Sequence, residues 1–216
     1  MDSIYIDVEK FLTLINAKER GWDEEILKNI ACSTMFFKYI EDSTSDTHYI
    51  KSLVQDALSV IDSLCQKSQR YYYFILRSYI ENFLRVLLKL KDDDAMGVMK
   101  LFKNTKRLLE QFEGASLIFD QMEQQYDECS LFVHSNIKAD DEISEFLKNI
   151  LTRNDFDEPF KVNNSLLKFN SLLNSSVKLF LISHTQTVDS CFYRKKEILK
   201  KILSEENYQI FSDSLV

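Results

Sequence analysis

The chain holds three glycines and one proline among 216 residues. Both residue types interrupt helices, glycine through backbone freedom and proline through its missing N–H and its ring. An all-β sandwich needs turn residues every few positions, and this chain does not have them. Long helices are the fold class this scarcity allows. Hydrophobic residues make up 45% and charged residues 28%, enough apolar matter for a packed core and too much for a disordered chain.

The apolar spacing places those helices. Ile4, Val8, Phe11, Leu12 and Ile15 recur near helical intervals over 3–20, and Gly21 offers a stop. Asp23 is positioned to cap a second helix over 24–41. The polar cluster 41–47 reads as a loop whose last residues offer caps for the next helix. Ile50, Leu53, Val54, Ala57, Leu58, Ile61 and Leu64 form one apolar ladder on that helix, over 48–67. The stretch 71–91 is apolar on most sides, as the central helix of a bundle is. Acidic residues 92–94 are placed to cap a helix over 95–112, and Gly114 separates it from another over 115–135. A short amphipathic helix is expected over 141–153, a loop around Pro159, one long helix over 163–193 and a final helix in 194–216. There is no fixed-period repeat and no sustained heptad. Seven to nine helices in one irregular antiparallel bundle, a single all-α domain over 1–216, is the expected architecture.

The net charge of −7 repels nucleic acid at long range. Two local exceptions, KLFKNTKR at 100–107 and RKKEILKK at 194–201, read as solvated helix faces before they read as nucleic-acid patches. Cys32, Cys65, Cys129 and Cys191 lack CxxC or zinc-ligand spacing and sit among apolar residues, the pattern of buried thiols in a reducing compartment. The sequence shows neither a signal-peptide pattern nor an apolar run of spanning length. A cytoplasmic protein without membrane contact is expected.

Most catalytic signatures are missing. Three scattered glycines cannot build a phosphate-cradling loop or a dinucleotide fingerprint. None of His48, His134 and His184 follows a glutamate at di-iron spacing. No metal or cofactor is expected. Two polar ridges stand out instead. Arg77, Glu81 and Arg85 lie four apart in the most apolar helix, where charges are costly unless paired. Tyr126, Ser130 and His134 lie four apart on a later helix. If the two helices face each other, Glu81 accepts from Arg77 or His134, and the hydroxyls complete a network. Lys178, six residues before His184, is a looser version of a basic residue ahead of a histidine.

RSYIENFLR, followed some forty residues later by YDECSLFVHS, resembles the HEPN superfamily of prokaryotic helical domains over about residues 45–140. Those domains pair an arginine–glutamate helix with a later helix carrying tyrosine, hydroxyl and histidine. The resemblance implies a compact and usually dimeric bundle from abortive-infection or toxin–antitoxin systems, with helices 161–216 packed on the core. It also implies metal-free RNA cleavage in active members. Under it, His134 moves protons, Arg77 or Arg85 holds phosphate, Glu81 orients them, and Tyr126 and Ser130 complete the binding face. Active members carry an arginine shortly before the histidine, which would stabilise charge on a scissile phosphate. Here Asp127, Glu128 and Cys129 stand there. Two functions follow as expectations. One is a defence or toxin–antitoxin component, a homodimer with an RNA or protein partner and residual RNA cleavage. The other is a non-enzymatic dimerisation or protein-interaction module whose polar ridges are structural. The aromatic run Tyr71, Tyr72, Tyr73, Phe74 points all round a helix, so it reads as packing before base stacking. His48 and His184 read as surface or structural residues.

Overall fold

The computed structural model describes residues 3–44, 48–134, 144, 148 and 156–215. Among them the secondary structure is entirely helical. Ten helices are α1 Ser3–Leu14, α2 Glu24–Ser43, α3 His48–Cys65, α4 Gln69–Leu87, α5 Val98–Leu109, α6 Ala115–His134, α7 Pro159–Ser183, α8 Thr185–Cys191, α9 Lys196–Ile202 and α10 Glu205–Asp213. The expected all-α bundle is the observed one. No helix among the described residues is long and apolar enough to cross a membrane.

The helices start where short polar side chains can meet free backbone donors. The Asp23 carboxylate accepts from the amides of Glu25 and Ile26 at 3.0 Å each, and Ser68 and Ser204 do the same for α4 and α10. The acidic run 92–94 behaves differently from expectation. Asp92 Oδ1 accepts from the His48 amide at 2.9 Å, so it caps α3 across the fold rather than α5 next door. The α5 N-cap is Gly97, without a side-chain bond.

Some boundaries also differ. α1 ends at Leu14, because Asn16 turns into the left-handed region at φ 51°, and tight turns run on to Gly21 at φ 68°. A side chain at Gly21 would be strained by that φ, and Pro159 packs 3.7 Å from where its Cβ would lie. Pro159 itself opens α7, where its missing N–H costs nothing. The single helix expected over 163–193 is two. Ser183 Oγ and Thr185 Oγ1 bond back to the carbonyls of Leu179 and Leu181, and His184 between them leaves helical geometry at φ −130°, ψ 30°. The tail likewise divides at Leu203 into α9 and α10. The helix expected over 141–153 lies outside the described residues, apart from Ser144 and Lys148, which are helical.

The core is one continuous cluster. α3 and α4 form an antiparallel hairpin closed at Lys67, φ 55°. α4 is the central element, packed against α3, α5, α6 and α7. Tyr72, Tyr79, Ile80, Phe83, Leu84 and Leu87 are its fully buried residues. On the other side α2 packs on α7, with Phe36 and Phe37 edge-on to Phe180 at 6.0 and 5.8 Å and Phe36 stacked on Phe192 at 6.0 Å. The break at His184 is what lets α8 carry Phe192 back over α2. Of the four thiols only Cys129 is buried; Cys32, Cys65 and Cys191 are half-buried.

Candidate functional site

α4 presents Arg77, Glu81 and Arg85 on one face because they are four residues apart. α6 crosses that face and brings Tyr126 onto it. The result is a closed triangle. Arg77 Nε donates to Glu81 Oε1 at 3.1 Å and to the Tyr126 hydroxyl at 2.9 Å. The Tyr126 hydroxyl donates in turn to the same Glu81 oxygen at 2.9 Å. The guanidinium also lies over the Tyr126 ring, 5.4 Å from its centre, and the Phe102 ring of α5 lies 4.9 Å from the same ring. Burial and the Glu81 bond push the Tyr126 hydroxyl above its ordinary pKa, against the pull of Arg77. The phenol therefore stays protonated and remains a donor.

Arg85 extends the triangle. Its Nη1 lies 3.8 Å from Glu81 Oε2 and donates to the Glu81 carbonyl at 3.2 Å. Its Nη2 reaches the Met96 carbonyl at 3.4 Å, and its guanidinium lies 5.5 Å from the Tyr49 ring centre. Tyr49 meets the His48 ring at 4.1 Å, and His48 Nδ1 lies 3.0 Å from Asp92 Oδ1. This extension to His48 and Asp92 is absent from the sequence reading. The only sequence signal was an acidic residue in a loop 44 positions away, which local spacing cannot connect to a histidine.

The second ridge meets the first through Tyr126. Tyr126 is in the triangle. Ser130 is half-buried one turn on, and among the described residues no hydrogen bond ties it to Arg77, Glu81 or Tyr126. His134 is the last residue of α6, and its side chain lies outside the described residues. Of the residues standing where the resemblance leads one to expect arginine, Cys129 is buried and its thiol is pushed up to about 12, chiefly by burial. Glu128 pairs with Lys168 of α7 at 2.7 Å, and Asp127 is exposed.

The other sequence candidates find ordinary partners. Tyr72 and Tyr73 are buried, and Tyr73 stacks on Phe132 at 3.9 Å, whereas Phe74 is 56% exposed. Lys178 pairs with Glu206 at 2.6 Å and Lys106 with Asp120 at 3.0 Å. His184 is buried, stacked on Phe180 at 4.6 Å, with Nδ1 2.8 Å from Ser183 Oγ. No group of three or more His, Cys, Asp or Glu side chains among the described residues is arranged to hold a metal ion.

Comparison with protein-family models, with curated proteins and with solved structures finds no match to this chain. The functional reading therefore rests on the residues themselves.

Proposed function

We propose that this protein is a HEPN-like helical binding or regulatory component of a prokaryotic defence or toxin–antitoxin type system, acting as a homodimer, and that its polar ridge is structural. The observation that carries the reading is the closed triangle. An arginine–glutamate helix and a tyrosine from a later helix meet in the pairing that the resemblance implies. Within it, Arg77 Nε is committed to Glu81 and Tyr126, so that donor is not directed at a phosphate. The acidic Asp127 and Glu128 support the non-catalytic form, since carboxylates in that place oppose an anionic substrate.

The test is RNA cleavage in EDTA on total RNA and on tRNA. It compares the wild type with Arg77→Ala and His134→Ala, each checked for folding by circular dichroism. The expected result is intact RNA in all three, with Arg77→Ala less stable, and a dimer mass by light scattering. Cleavage by the wild type that both folded variants lose would make the ridge a metal-free ribonuclease centre and overturn the structural reading.

A further inference from the structure

A second site lies away from that ridge, between α1, α2 and α9. A pocket of about 470 Å³ opens there, walled by Ile4, Tyr5, Val8 and Glu9 of α1, Lys28 and Cys32 of α2, and Lys201 of α9. Its volume falls within the range of ligand pockets, about 300–1,000 Å³. Ile4 and Val8 are buried at its base, whereas Tyr5 is 57% exposed at its edge. Tyr5 carries an apolar ring and a polar tip, so that edge can meet an alkyl chain and a hydroxyl at once.

The charges at this pocket cancel. Glu9 stands in the wall with Lys28 and Lys201. Glu25, one turn before Lys28 on α2, is close enough to act on the Cys32 thiol: burial first, and then this carboxylate, raise the thiol above its ordinary pKa. Two glutamates thus offset two lysines, and Lys201 is already engaged. A carboxylate or an ammonium finds no free counter-charge here, and either would give up hydration on entering. The raised thiol stays protonated at neutral pH, so Cys32 offers an uncharged, polarisable surface rather than a thiolate. An apolar base with a balanced rim fits a ligand without formal charge.

We propose that this pocket binds an uncharged alkyl amphiphile, a chain of medium length ending in a hydroxyl. The chain lies against Ile4, Val8 and the Cys32 sulfur, and the hydroxyl stays at the mouth beside Tyr5. The proposal does not depend on the defence-type reading of the Arg77–Glu81–Tyr126 ridge, and either can fail alone.

The experiment follows the backbone amide resonances of the isotope-labelled full chain during titration with hexanol, heptanol and octanol. Octanoate and octylammonium, which keep the tail and charge the head, are titrated in parallel, all below the concentrations at which they aggregate. The alcohols should give saturable shifts centred on the amides of Ile4, Tyr5, Val8 and Cys32. Each added methylene should lower the Kd about two- to fourfold, the upper figure being full burial at about 0.8 kcal/mol. Both ions should bind at least about fivefold more weakly than octanol. Val8→Trp, which fills the base, should abolish the shifts in a chain whose helical circular dichroism is unchanged. If Val8→Trp does not fold, Cys32 gives an independent readout. Octanol should slow its modification by a thiol reagent, located by peptide mass, while leaving the rate at Cys65 unchanged. No saturable shift in the folded wild type, a Kd that does not fall with chain length, either ion binding as tightly as octanol, or an unaltered rate at Cys32 would each overturn the proposal.

Discussion

Tyr126 shows how little separates a clasp from a catalytic residue. Its hydroxyl accepts from Arg77 and donates to Glu81, so removing one oxygen takes a bond from each of two groups that still hold each other. Tyr126→Phe keeps the ring against Phe102 and Arg77. It should cost about 1–2 kcal/mol, the range for a partly buried hydrogen bond to a charged group with some solvent screening. Urea unfolding checks this, with an unchanged m-value expected. His184 makes the opposite kind of demand. Burial, with Lys89 nearby, lowers its pKa from 6.5 to about 4, and its Nε2 is buried with no hydrogen-bond partner among the described residues. The unfolded chain thus binds a proton that the folded chain refuses between those two values. The stability linked to His184 is complete above pH 6.5 and is lost as pH falls towards 4, roughly 3 kcal/mol in all. His184→Gln should flatten that part of the stability profile; an equally steep fall in the variant would assign it to other groups. Arg77, Glu81 and Tyr126 were legible in the sequence because helical spacing aligned two of them and polarity in an apolar run marked the third. His48 and Asp92 were not, since only the folded chain brings them together.

At the scale of elements, apolar periodicity located nearly every helix and local chemistry misplaced several ends. Asp23 reads correctly as a cap because its donors lie two and three residues on. Asp92 reads wrongly because its donor, the His48 amide, belongs to another helix. Asp92→Ala should therefore destabilise α3 rather than α5, by about 1 kcal/mol. Amide hydrogen exchange distinguishes the two, with faster exchange expected in the first turn of α3 and none added in α5. The division at His184 was hidden for a related reason. The sequence through 163–193 keeps a helical pattern, and only Ser183 and Thr185 hint at a break, through back-bonding that serine and threonine make in many unbroken helices.

For the molecule as a whole, one aromatic contact set joins α2 to α7 and to the end of α8 through Phe36, Phe37, Phe180 and Phe192. Phe36→Ala removes a fully buried ring from the centre of that set and should cost about 3–5 kcal/mol. Because the buried residues form one cluster, the loss should appear as one cooperative transition at lower urea, with fluorescence at Trp22 and far-ultraviolet dichroism coinciding. Two separated transitions would show that α1–α2 and α3–α6 unfold independently.

The Asn163 side chain accepts from the Asp23 amide at 2.9 Å and donates to the Gly21 carbonyl at 3.3 Å, joining positions 140 residues apart. That link sets an order of events during synthesis. The turn ahead of α2, and the phenylalanine face of α2 itself, are made early, yet their partners on α7 and α8 are among the later residues to leave the ribosome. At about 5–20 residues per second, the wait is roughly 7–30 s. Throughout it the part of this aromatic face that α3 and Phe83 of α4 do not cover is shown to the surroundings, a binding surface for whatever escorts unfinished proteins in the cell that makes it.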